Sequence, residues 1–214
     1  MAEPQSSRDK ILDVGEALFA RRGYAGVGLR EVAEASGLSK SSLFHHFASK
    51  EQLYYEVLAR ALRTIRERFD AALGRSGSPR EQLEGWVCDL IDTLAEHPPV
   101  PRLLLRSLFE REDSALPEAQ AAEELLASIL GDAERFVRRG VESGDFRQVS
   151  APHTLQTLIG ATVYHFASAE VGESLLGRPL FSAEEVARRK HEVIALLRHG
   201  LFARPTQEES RCRS

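Results

Sequence analysis

Apolar residues recur every three or four positions along almost the whole 214-residue chain, a spacing that restricts it to helices. No run of alternating β-branched residues reads as a strand. Breakers divide the pattern at Gly23, Gly37, the loop Gly74-Arg75-Ser76-Gly77-Ser78-Pro79, His97-Pro98-Pro99, Asp113-Ser114, Gly144-Asp145 and the stretch Gly172 to Pro179. Helices fit between them over about 8–22, 29–36, 40–46, 50–73, 80–96, 101–111, 117–143, 152–170 and 183–202. Residues 1–7 read as a disordered arm and the last ten or so as a polar tail. The expected fold is all-α, with about nine helices: a three-helix N-terminal domain, then a larger helical domain.

The segment from Leu29 to Leu53 carries the most information. A short helix, a turn containing Gly37 and a second short helix match a helix-turn-helix, which sets its second helix in the DNA major groove. Ser39 is placed to cap that second helix and Ser49 the long helix that follows. At 100° per residue Leu43 and Phe47 share an inward face. Ser41, His45 and, less squarely, Ser42 lie opposite, and Lys40, Phe44 and His46 lie on the flanks. Serine can pair with any base, and lysine and histidine can donate to guanine acceptors. Lys50, at the start of the long helix, adds charge where free backbone N–H groups attract phosphate. Helix shape alone also fits ordinary packing, and His45-His46 also fits plain solvent exposure.

Charge does not announce this function. The chain carries a formal net charge of −4. Residues 1–50 hold 7 basic and 6 acidic side chains, for +1, and the remainder holds 21 and 26, for −5. Local placement therefore has to carry the case for DNA. No apolar run approaches the ~20 residues that span a bilayer, and no leader segment follows Met1, so a cytoplasmic protein is expected. Cys88 and Cys212 are too few for a disulfide framework or a metal site, and adjacent histidines point to different helix faces. No cofactor is expected.

The stretch from Ile11 to Leu53 resembles the DNA-binding domain of the TetR (tetracycline repressor) family. The resemblance rests on Ala17-Leu18-Phe19 with Gly23-Tyr24, Val32-Ala33, Gly37-Leu38-Ser39, Leu43-Phe44-His45-His46-Phe47 and Ser49-Lys50-Glu51-Gln52-Leu53. It implies base reading by Lys40, Ser41 and His45, and phosphate holding by Ser42, His46 and Lys50. Phe44 stands where the family usually has tyrosine, Ser41 replaces a common glycine, and Gly28 stands where threonine often caps the second helix. It further implies a helix-turn-helix domain over 6–66 (the motif itself about 29–48), an effector-binding and dimerisation domain over 67–204, and a tail over 205–214. The function implied is a repressor that binds a palindromic operator as a homodimer and leaves it on binding a small, mostly apolar effector. A pendulum-like shift of the long fourth helix would carry the signal.

Residues for those roles can be nominated. Trp86, Leu90, Leu104, Phe109, Phe136, Tyr164 and His165 are candidates for the effector pocket, with core filling as the alternative. Ile159, Thr162, Val163 and Phe166 on one late helix, and Val193, Ile194, Leu197 and Leu201 on the last, are candidates for a four-helix dimer interface. These stripes also fit packing against the protomer's own core. A TetR-type activator, or a regulator without an effector, is the nearest alternative. An all-α enzyme or scaffold is a different class, and no phosphate loop, nucleophile elbow or zinc motif supports an enzyme.

Overall fold

The computed structural model describes residues 6–109 and 114–203. The expected arm before Ser6, the end of the sixth helix at residue 111, the breaker residue Asp113, the tail over 205–214 and Cys212 lie outside the described residues.

The helices, in chain order, are α1 (Ser7–Arg22), α2 (Leu29–Ala35), α3 (Lys40–His46), α4 (Lys50–Leu73), α5 (Pro79–Glu96), α6 (Pro99–Phe109), α7 (Pro117–Glu142), α8 (Ala151–Ile159), α9 (His165–Ala167), α10 (Glu170–Leu176) and α11 (Ala183–Leu196). A π-helical turn, Gly160–Tyr164, joins α8 to α9, and a second, Leu197–Leu201, extends α11. Among the described residues no strand forms; only an isolated antiparallel bridge pairs Phe146 with Phe202.

Serines start many of these helices. The hydroxyls of Ser6, Ser39, Ser49, Ser78 and Ser182 each accept from the backbone N–H three residues on, satisfying a donor the helix itself cannot. At Ser78 the device is reciprocal, because the Glu81 carboxylate accepts from the Ser78 backbone at 2.8 Å. That bond and the Ser78 hydroxyl hold the Glu81 carboxyl below its usual pKa.

The long α4 runs unbroken for 24 residues and organises the molecule. It packs on α1 at one end and on α5 and α7 further along. Its inward side chains Leu53, Val57 and Phe69 are fully buried. Arg60 ties it to α1, donating to Asp13 at 2.7 Å and to Glu16 at 3.0 Å. Gln52 ties it to α7, donating to Glu118 at 2.9 Å.

Three features depart from expectation, one of them the end of the last expected helix, 183–202, which is a π turn over Leu197–Leu201. The eighth expected helix, 152–170, is not regular: its middle widens into a π turn. Such turns leave carbonyls without their usual helical partners. Here the Thr162 hydroxyl donates to the Leu158 carbonyl at 2.8 Å, and the Arg189 guanidinium of α11 donates to the Ala161 carbonyl, its Nε at 3.0 Å. Further on, the stretch Gly172 to Pro179, read as a breaker, contains most of α10. Gly172 is there for close approach: a Cβ would stand 2.3 Å from Ser168 Oγ and 3.0 Å from Leu180 Cδ1.

Candidate nucleic-acid interface

The α2–α3 pair is held by the turn between them. Gly37 adopts φ +69°, where any side chain would be strained. The Leu38 N–H donates back to the Ala33 carbonyl at 2.9 Å, so the chain reverses while the end of α2 stays capped. Leu43 and Phe47, both fully buried, seat α3 on the core beside Val32 and Ala33.

With that face fixed, the others follow. Lys40, Ser41, Phe44 and His45 are exposed, and Ser42 and His46 half-buried. The exposed set covers Ser41 and His45 of the expected outward face and one flank, while Ser42 is more covered than expected. Ser39 Oγ lies 2.8 Å from Ser41 Oγ and 2.9 Å from Ser42 Oγ, while accepting from the Ser42 backbone at 3.1 Å. Three hydroxyls thus form one network at the exposed start of α3. The Ser39 cap was legible in sequence; its link to both neighbouring hydroxyls was not. The Lys40 ammonium lies 5.5 Å from the Phe44 ring centre, one turn away. Ser7, Leu38, Ser41, Ser42, His45 and His46 line an open concavity of about 440 Å³. Ser7 and Leu38 were not nominated from sequence: Ser7 read as part of the disordered arm, whereas it opens α1, and Leu38 read as part of the turn.

Lys50 has a partner within the chain as well as its place at the start of α4. It is half-buried, and its ammonium donates to the Tyr24 carbonyl at 3.0 Å. Arg8 pairs with Glu56 and covers the Phe47 ring, and Arg30 pairs with Glu34 at 2.9 Å. Among the described residues, no group of three or more His, Cys, Asp or Glu side chains is arranged to hold a metal ion.

The pocket candidates separate. Trp86, Leu90, Phe136 and His165 are buried and Leu104 half-buried. Phe109 is 81% exposed and Tyr164 58% exposed, so neither points into an interior cavity as expected. Tyr164 turns outward because its neighbour His165 turns inward, 100° around the helix. Trp86 packs edge-on against Phe69 at 4.9 Å, with its indole N–H buried and without a hydrogen-bond partner. His165 Nε2 is likewise buried and unpartnered. Burial, assisted by the nearby Arg189 charge, pulls the His165 pKa down to about 4, so the ring is neutral at pH 7.

The interface candidates need correction. Thr162, Val163, Phe166, Val193, Leu197 and Leu201 are all buried within the single chain, and Ile194 half-buried. Their stripes face the protomer's own core. Of the eight nominated residues only Ile159 is exposed, at 37%. The apolar residues left outward on these two helices are instead Ile159, Tyr164 and Leu196, the last 67% exposed.

Residues 11–57 match the family described as bacterial regulatory proteins, tetR family, and residues 79–197 match the tetracyclin repressor-like C-terminal domain. The chain belongs to the tetR family. Its members are DNA-binding regulators and not enzymes, and the helix-turn-helix above is this chain's copy of the family's DNA-binding element. The chain is 38% identical over 84 residues to the HTH-type transcriptional repressor KstR2 of Mycolicibacterium smegmatis. That match covers 39% of this tetR-family chain and 41% of the relative, so the chain spans less than half the length of that curated relative. The structure of the ketosteroid regulator KstR2 of Mycobacterium tuberculosis shares the fold at a TM-score of 0.75 and 20% identity, covering 94% of this chain and 98% of that one. AibR, solved with isovaleryl coenzyme A and operator DNA, shares it at 0.73 and 16%, covering 89% and 97%. No helix among the described residues is long and apolar enough to cross a membrane.

Proposed function

We propose that this chain is a transcriptional repressor that binds a palindromic operator as a homodimer and is released by a small, mostly apolar effector. The observation that carries the DNA contact is α3 itself: Leu43 and Phe47 lock one face inward while Lys40, Ser41 and His45 stand exposed on the other. In this reading those three meet base edges, and Ser42, His46 and Lys50 hold phosphates. A helix of seven residues reads few bases, so a two-fold pair of helices is needed for a specific site. The pair forms through the outward face of α8, α11 and their π turns, around Ile159, Tyr164 and Leu196.

The effector reading is supported by the buried, unpartnered Trp86 N–H and His165 Nε2. Unsatisfied polar groups in an apolar interior cost roughly 1–3 kcal/mol each, and a ligand that pairs with them recovers that cost. AibR, of the same fold, binds an acyl coenzyme A in its solved complex, which fits an effector with an apolar body and polar groups. A gel-shift assay on DNA flanking the chain's own gene tests the reading, with candidate effectors then added. Salt-sensitive, sequence-selective binding that an effector abolishes supports it; binding without sequence preference contradicts it.

A further inference from the structure

Phe44 puts an apolar ring on the surface of the recognition helix. Among the described residues up to Leu73 it is the one large apolar side chain left exposed, at 42%, and it stands on the recognition helix. Leu43 on one side of it is fully buried and His45 on the other is exposed, so the ring sits on the shoulder between the core and the groove-facing side. It carries no hydroxyl and can give a phosphate no hydrogen bond. Its one charged neighbour along the helix, Lys40, lies 5.5 Å from the ring centre on the same flank.

The major groove offers such a ring one apolar feature, the C5 methyl of thymine. We propose that Phe44 is a specificity-determining residue that reads a thymine methyl in each half-site by apolar contact, with Lys40 steadying the ring over its face. The assignment rests on the reading of α3 as the recognition helix. It separates Phe44 from its polar neighbours: Lys40, Ser41 and His45 distinguish bases by donors and acceptors, whereas Phe44 distinguishes thymine from cytosine, and from thymine without its methyl, by contact area. The Lys40 charge beside the ring also draws the pair toward the negative potential of the groove.

The test begins with an operator enriched from random DNA by the full-length protein. Each thymine is then replaced singly by uracil, which deletes the methyl and keeps every hydrogen-bonding group. Binding is measured for the wild-type chain, Phe44→Ala and Phe44→Leu, with circular dichroism melts confirming that each variant folds. One thymine per half-site is expected to lose about fourfold in affinity to the wild type on methyl deletion, the effect of burying one such group. Phe44→Ala should bind thymine and uracil equally at that position, and Phe44→Leu should retain part of the preference. Wild-type binding that is indifferent to every methyl, or a methyl preference that survives unchanged in Phe44→Ala, overturns the proposal. Failure to enrich any sequence is a separate result, which overturns the DNA-binding reading beneath it.

Discussion

The Lys50 ammonium donates to the Tyr24 carbonyl at 3.0 Å and lies 4.3 Å from the centre of the Tyr24 ring. The bond joins the start of α4 to the turn that follows α1. Tyr24 in turn packs edge-on against Tyr54 of α4 at 5.2 Å, so the lysine closes a small cluster at the N-terminal end of the long helix. Lys50 therefore has two parts to play: it fixes how α4 meets α1, and it holds positive charge beside the free N–H groups of a helix N-terminus.

Lys50→Ala should lower stability by about 1–2 kcal/mol, the range for a charge-assisted hydrogen bond with a cation–π contact. The same change should weaken binding to all operator variants alike and reduce the slope of log affinity against log salt by about one. Urea denaturation and a salt titration of binding measure the two effects. A variant that binds less tightly only to particular sequences would place Lys50 among the base readers.

His45→Ala should do the opposite. His45 is exposed on the outward face of α3 and its substitution removes nothing from the core. Stability should stay within about 0.5 kcal/mol of wild type. Base preference should relax at one or two positions per half-site, at a cost of about 1–3 kcal/mol for the preferred base. Selection from random DNA with each protein shows whether the preferred sequence changes.

Leu196→Glu tests the dimer face. A glutamate at a site 67% exposed in the single chain leaves the fold intact, but places charge within the proposed interface. The dimer dissociation constant should rise by at least about tenfold in sedimentation equilibrium, with helix content unchanged. Val193→Glu, by contrast, would strike a side chain 1% exposed and should unfold the chain. An unchanged dimer in Leu196→Glu would move the interface elsewhere.

The pH dependence of stability should carry a signature of His165. Its folded pKa, about 4, lies below the unfolded value near 6.5. The unfolded chain therefore binds a proton that the folded chain refuses across that window. Stability is fully present above pH 6.5 and is lost as pH falls toward 4, by up to about 3 kcal/mol. His165→Gln should flatten that part of the profile in denaturation measured between pH 7 and 4. A wild-type profile that matches the variant's would mean the imidazole is free to protonate in the folded state.

These expectations were legible in the sequence to different depths. The helical segments from α1 to α5 and α7 followed from apolar spacing and capping serines, and the exposed and buried faces of α3 followed from 100° per residue once Leu43 and Phe47 were read as core. The short α10 was hidden because Gly172, Gly177 and Pro179 look like breakers, whereas Gly172 serves a close approach to Ser168 and Leu180. The stripes nominated on the last two helices turn inward, and that was hidden for a different reason. On α8, α11 and their extensions apolar spacing marks the stripe that is covered, but it cannot say whether the protomer's own core or a second copy covers it. Val163 is buried and Tyr164 exposed; Leu197 is buried and Leu196 exposed. One residue of rotation exchanges core for surface, and the π turns shift that rotation part-way along each helix. The Lys50 bond to Tyr24 spans 26 positions and left no local signal.

The central claim is that α3, presented twice by a dimer, reads a specific operator. The most direct measurement is fluorescence anisotropy of the purified chain on a sequence enriched from random DNA, on the same sequence with one half-site scrambled, and on unrelated DNA, over a range of salt. The enriched sequence should be two-fold symmetric and bound at least about a thousandfold more tightly than unrelated DNA. Scrambling one half-site should remove most of that preference, and affinity should fall steeply as salt rises. Equal affinity for all three DNAs, or an enriched sequence without two-fold symmetry, would contradict the account.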